Sequence, residues 1–220
     1  MNTVTLGVWR LPAHDVPAAV VAGRVTARRL RRSDTVTFAK VLGTASDAFV
    51  PTAATPRRWV TLASWRDTPT PGLTRWWARH AEESATLTLR PLWSRGRWDG
   101  AAPFPVEPQR WDGPVVALTR STVRVRKAAT FYRAVPGIAS ELRRANGCRA
   151  AFGIGEAPVL RQGTISIWDS AAAMQAFAYA TPAHVAAVEA TPTIGWYAEE
   201  LFTRFALLDA EGTIDGASVR

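Results

Sequence analysis

The feature that most constrains this chain is an internal repeat. Val60-Thr-Leu-Ala-Ser-Trp65-Arg-Asp recurs as Thr164-Ile-Ser-Ile-Trp168-Asp, and each copy is followed by a helix-patterned stretch and then a strand. Arg97-Trp-Asp-Gly100, behind the first closing strand, is matched by Thr213-Ile-Asp-Gly216 behind the second. A sequence that repeats a supersecondary unit builds its core from two related layers, and each layer has an apolar face that must be covered.

Hydropathy patterning supplies the elements of each unit. In the first, Thr3–Trp9 alternates as a strand, Ala18–Arg32 is helical, and Val36–Phe49 holds a weakly patterned strand. Trp59–Trp65 is a clear strand, Gly72–Glu83 helical, and Ala85–Leu92 a strand again. Glycine, proline and two Trp-Asp-Gly triplets make Gly96–Pro114 a connecting segment. The order then restarts: strand Val115–Thr122, helix Ala128–Asn146, strands Arg149–Gly155 and Val159–Trp168, helix Ser170–Ala180, and strand Leu201–Leu208. Residues 209–220 read as a polar, frayed tail. Each half is therefore β-α-β-β-α-β, a split βαβ or ferredoxin-like unit. The expected fold is α+β, two fused ferredoxin-like halves forming a domain like a dimeric α+β barrel. Its parts are an N-terminal half at 1–95, a linker at 96–114, a C-terminal half at 115–210 and a tail at 211–220.

Composition excludes several classes. Apolar residues make up 47% and charged residues 20%, the balance of an ordinary globular chain. No window approaches the roughly 20 apolar residues of a membrane span. Met1-Asn-Thr-Val-Thr-Leu-Gly-Val-Trp lacks a basic region followed by an apolar block, so no signal peptide and a cytoplasmic location are expected. The lone Cys148 rules out an internal disulfide and reads as a buried thiol. The net charge of +9 rests almost wholly on scattered arginines, since Lys40 and Lys127 are the lysines, and no nucleic-acid motif accompanies it. Nucleic acid is therefore not an expected partner. An anionic membrane surface or an acidic protein suits the basic face better, and an exposed sheet edge would support a homodimer. Ten tryptophans are many for this length; most are expected in the core, and Trp76, Trp77, Trp93, Trp98 and Trp111 could also line a flat apolar ligand.

Chemistry-bearing residues are few. His14 lies in a proline-rich turn. His80 and His184 occupy matching places, 15 residues after Trp65 and 16 after Trp168. Thr181-Pro182 would start a short helix with His184 in its first turn. The positive end of the helix dipole keeps that imidazole neutral, the form a metal or haem iron needs. A lone histidine on a helix flank is more often a surface or core residue, and the residues alone leave both readings open. Gly153-Ile-Gly155-Glu lacks the third glycine of a dinucleotide fingerprint, and Glu199-Glu200 is as well read as a solvated strand end as an acid pair.

Ala117-Leu-Thr-Arg-Ser-Thr-Val-Arg-Val-Arg-Lys-Ala, Phe152-Gly-Ile-Gly-Glu-Ala-Pro158, Gly163-Thr-Ile-Ser-Ile-Trp168, the spacing from Phe177 to His184, and Glu199-Glu-Leu-Phe-Thr-Arg-Phe205 stand in one order along the chain. Together they resemble the spheroidene monooxygenase family, over nearly the whole length. The resemblance implies a haem-dependent oxygenase that puts a keto group on acyclic carotenoids, with reduced ferredoxin as electron donor. It implies His184 as the axial haem ligand, and Arg120 and Trp168 as catalytic residues facing the pocket. Arg124 and Lys127 are assigned to the haem propionates from their charge. Other haem enzymes on this scaffold, peroxidase-like or dehydratase-like, and a non-catalytic haem-binding barrel are the alternatives. His80 is read as structural.

Overall fold

A computed structural model describes residues 3–45, 54–107, 109–157, 160–180 and 193–220. Its strands are β1 (Thr3–Arg10), β2 (Val36–Ala45), β3 (Ala54–Trp65), β4 (Glu83–Gly96), β5 (Val115–Val123), β6 (Cys148–Ala157), β7 (Arg161–Trp168), β8 (Tyr197–Ile214) and β9 (Ala217–Ser218). Its helices are α1 (Val16–Arg32), α2 (Arg75–His80), α3 (Ala128–Arg144) and α4 (Ala171–Ala180).

The strands run in the order β4-β1-β3-β2-β6-β7-β5-β8, and β4 also pairs with β8, so eight strands close into a barrel. Within β1–β4 the order is 4-1-3-2, and β5–β8 repeat it, as two ferredoxin-like units joined edge to edge require. The expected α+β barrel of two fused halves is the observed fold. The two seams differ. Among the described residues β2 meets β6 through three residue pairs, whereas β4 and β8 pair along eleven.

Alternation decides which side chains go inside. Val4, Leu6, Val8, Leu62, Leu87, Val116, Leu118, Ile165, Ile167 and Phe205 point into the barrel and form one core. Each such side chain, fully removed from water, stabilises by about 1.5–3 kcal/mol. Neighbours of opposite parity face the helices. Trp9, Trp77, Ala19 and Leu11 pack under α1 and α2, while Val115, Leu142 and Trp168 pack under α3 and α4.

Three sequence expectations need correction. The helix expected over Gly72–Glu83 is a 3-10 turn, Pro71–Thr74, followed by the six residues of α2. Glu83 is already strand because it pairs with Arg10 of β1. The last strand runs to Ile214 and turns into β9, so residues 209–220 are not a frayed tail. Ala210, Ile214 and Val219 are buried in the barrel core, and their spacing among charged residues hid them. The connecting segment is also part of the core, because Trp98 and Phe104 plug the barrel against Phe38 and Phe205. Of the weakly patterned stretch 36–49, residues 46–49 lie outside the described ones.

Candidate functional site

The strand registers allow the halves to be compared position by position. Thr3 pairs with Trp65 and Val115 with Trp168, and both ladders run in step to Arg10 opposite Arg58 and Thr122 opposite Arg161. On the helix-facing side, Gly7, Trp9, Trp59, Thr61 and Ala63 of the first half thus correspond to Thr119, Ser121, Gln162, Thr164 and Ser166 of the second.

In the first half, indoles fill the space between sheet and helices. Trp59 and Trp77 lie with ring centroids 5.6 Å apart. Trp9 Nε1 donates to Thr61 Oγ1 at 2.9 Å, and Trp77 Nε1 donates to Thr26 Oγ1 at 3.0 Å. Gly7 is required there, since a Cβ would stand 2.5 Å from the Trp9 ring.

The second half carries small polar side chains instead. Thr119 Oγ1, Ser121 Oγ, Gln162 Nε2 and Thr164 Oγ1 are buried atoms with no hydrogen-bond partner. All four lie on one face of two adjacent strands. An unsatisfied buried donor or acceptor costs about 1–3 kcal/mol, so four together on one face make it a candidate site. Where the first half places Trp9 and Trp59, the second half places the smaller Ser121 and Gln162. This face carries small side chains with orphaned hydroxyl and amide groups, the donor set that a buried polar-edged cofactor would need. Sequence reasoning missed these residues, although aligning the two repeats would have set Ser121 and Gln162 against tryptophans.

The residues singled out in the sequence divide between two faces. Trp168 lies on the helix side with the polar stripe, 1% exposed, its Nε1 donating to Ser166 Oγ at 2.8 Å and its ring 5.6 Å from that of Phe177. Arg120 has the parity of Val116 and Leu118 and points to the barrel interior, so the structure does not bring it together with Trp168. Arg124 and Lys127 stand three and six residues beyond Ser121, at the 3-10 turn that leads into α3. Arg124 Nε donates to the Tyr197 carbonyl at 2.9 Å. His184 lies outside the described residues, as does the short helix expected to carry it. His80 is 3.2 Å from Asp15 and stacks on Trp76 at 4.4 Å, in keeping with a structural role.

Arg120 belongs to a charged network at one barrel end. It pairs with Glu199, lies 3.7 Å from Asp99, and sits 5.5 Å over the Trp98 ring. Lys40 pairs with Asp99 and, at 3.2 Å, with Glu156; Arg161 reaches Glu156 at 3.5 Å and Asp99 at 3.6 Å. Glu199 accepts from the Asp99 N–H at 3.0 Å and the Gly100 N–H at 2.8 Å. Burial pushes the Glu199 carboxyl up, but these two N–H groups and the Arg120 guanidinium outweigh it and hold the group below its ordinary value. Glu199 is therefore neither a solvated strand end nor an acid poised to give up a proton. The other barrel end has the same design, with Glu83 accepting from the Gly216 N–H at 2.7 Å and Arg58 pairing with Asp215 at 2.8 Å. Cys148 is half-buried, and burial pushes its thiol up to about 11. Among the described residues no group of three or more His, Cys, Asp or Glu could hold a metal ion. No helix among them is long and apolar enough to cross a membrane.

Comparison with known proteins places this arrangement. No protein-family model matches the chain. Solved aldoxime dehydratases share the fold at 10–12% identity, with TM-scores of 0.62 and 0.61 over 94% of this chain, one of them in complex with butyraldoxime. Spheroidene monooxygenase of Rhodobacter capsulatus is 34% identical over 97% of this chain and 93% of its own length. The enzyme of that name from Cereibacter sphaeroides is 33% identical over 98% of this chain and 70% of its own. Likeness of that extent, carried through both halves of the barrel, makes this chain a member of the spheroidene monooxygenase family.

Proposed function

We propose that the chain is a haem-dependent monooxygenase acting on an acyclic carotenoid or a similar apolar polyene, with the haem seated between the β5–β7 face and the second-half helices. The observation that carries this reading is the stripe of four unpartnered buried polar atoms, on Thr119, Ser121, Gln162 and Thr164, where the first half holds Gly7, Trp9, Trp59 and Thr61. Haem bound there supplies the activation of dioxygen. His184 would ligate its iron, and Arg124 and Lys127, at the edge of the same half, would pair with its propionates.

The chain's own residues do the rest. The hydroxyls of Thr119, Ser121 and Thr164 and the amide of Gln162 offer hydrogen bonds over the sheet face. Trp168 and Phe177 make an apolar wall that excludes water and suits a polyene. Arg120, held by Glu199 on the other side of the sheet, ties β5 to β8. In each round one oxygen atom enters a C–H bond and the other leaves as water, using two electrons from a ferredoxin-type donor and two protons. Two rounds at one carbon give a geminal diol, which loses water to a ketone. The basic face and the apolar substrate agree with work at a membrane surface.

Haem reconstitution tests the reading. The protein is expected to take up one haem with a Soret band, and His184→Ala to lose or shift it. Incubation with an acyclic carotenoid, ferredoxin and its reductase is expected to yield hydroxylated and then keto products. An unchanged Soret band in His184→Ala would remove the ligand assignment, and no oxygenated product would remove the substrate class.

A further inference from the structure

Gln162 differs from the other members of the polar stripe. Its residue is 5% exposed, its Nε2 has no hydrogen-bond partner, and its Oε1 accepts from the Tyr132 hydroxyl at 3.3 Å. The hydroxyl of Tyr132 is a donor under ordinary conditions, since burial pushes its pKa up against the opposing effect of the Gln162 bond. A carboxamide whose oxygen is taken must turn its NH2 the other way. Tyr132 is itself set by an aromatic cluster: Phe131 lies 5.4 Å from it and packs on Trp196 at 5.9 Å. Trp196 is in turn tied down by its Nε1 donating to Thr130 Oγ1 at 3.2 Å. The first-half counterpart of Gln162 is Trp59, whose Nε1 is satisfied by the Pro56 carbonyl at 2.9 Å. The repeat thus replaces a satisfied indole by a buried amide with a fixed and unused donor.

We infer that the Gln162 Nε2 group is the hydrogen-bond donor to an oxygen-bearing diatomic ligand at this face, and that Tyr132 is the positioning residue that aims it. The inference rests on the haem reading above and deepens it. Ser121 and Thr164 stand beside Gln162, but their hydroxyls rotate and can donate or accept. The Gln162 NH2 can only donate, and its direction is set from outside the site. Preorganised donors of this kind stabilise charge that develops on a bound oxygen ligand.

Carbon monoxide on the reduced, haem-reconstituted protein is the probe, read by infrared spectroscopy, with far-UV circular dichroism as the folding check. A donor near the ligand oxygen draws electron density into the C–O antibonding orbital and lowers the stretching frequency. Gln162→Leu is expected to keep the Soret band and move the C–O stretch to higher wavenumber. Tyr132→Phe keeps the amide but frees it, and is expected to split or broaden the band toward the Gln162→Leu position. If Gln162→Leu does not fold, the Tyr132→Phe band decides alone. A stretch unchanged in either folded, haem-loaded variant overturns the Gln162 assignment while leaving the haem reading standing. A wild-type protein that takes up no haem overturns both.

Discussion

At the scale of single residues, the two halves are told apart by three exchanges on matched strands: Gly7 for Thr119, Trp9 for Ser121 and Trp59 for Gln162. They act as a set, because the indole of Trp9 needs the missing Cβ of Gly7. Carrying the first-half residues across, as Thr119→Gly, Ser121→Trp and Gln162→Trp in one variant, is expected to keep the barrel folded and abolish haem uptake. Circular dichroism and Soret absorbance read the two outcomes separately. Gly163 is a different kind of constraint. A Cβ there would stand 2.1 Å from the Thr119 carbonyl oxygen, which is backbone and cannot rotate away. Gly163→Ala should force β5 and β7 apart and lower stability by about 3 kcal/mol or more, measurable by denaturant unfolding.

At the scale of elements, each barrel end is closed by a tight turn with aspartate and glycine in left-handed conformations. Asp99 and Asp215 both have φ of 53°, followed by Gly100 at 75° and Gly216 at 79°. A glutamate at the start of a neighbouring strand, Glu199 or Glu83, receives the turn's N–H groups. For both glutamates, burial raises the pKa but is outweighed by the turn N–H groups and a nearby arginine, so the folded value is lowered. A lowered folded pKa means that the stabilisation is present above the ordinary carboxylate range and is lost as pH falls through the folded value. Melting temperature is therefore expected to fall on acidification below about pH 4.5, and Glu199→Gln should lower it near neutrality while flattening that acid dependence. The plug beneath the Asp99 turn is apolar. Trp98 is 1% exposed, and Trp98→Ala is expected to cost about 3–5 kcal/mol.

At the scale of the whole molecule, one closed sheet joins two pseudo-equivalent units that have taken different tasks. The first packs hydrogen-bonded indoles under its helices. The second keeps buried polar groups without partners and gives up stability at that face. The seams are equally unlike among the described residues: three residue pairs hold β2 to β6, against eleven between β4 and β8. Amide hydrogen exchange is expected to be faster at Gly43–Ala45 and Gly153–Gly155 than along the paired stretch of β4 and β8, because opening the short seam breaks few bonds. Equal protection at both seams would contradict that ranking.

Much of this was legible in the sequence, since its main signals are local. Alternation in Thr3–Arg10 and Val115–Val123, the Trp65 and Trp168 repeat and the paired Asp-Gly turns report backbone period and turn chemistry, and they specify two ferredoxin-like units. The ends of elements were less legible. Glu83 is strand because Arg10 lies opposite it, and Ile214 and Val219 are core because the barrel closes over them, conditions that no window of sequence contains. The candidate face was hidden for the same reason. Ser121 and Gln162 lie 41 positions apart in sequence and are ordinary polar residues where they stand. Sheet pairing sets them side by side, helix packing buries them, and the absence of a partner then marks them as a candidate site. Arg120 shows the converse: its motif marks the family, but strand parity turns it to the barrel interior. Periodicity along the chain determines which elements form, while strand register and parity decide which side chains share a face.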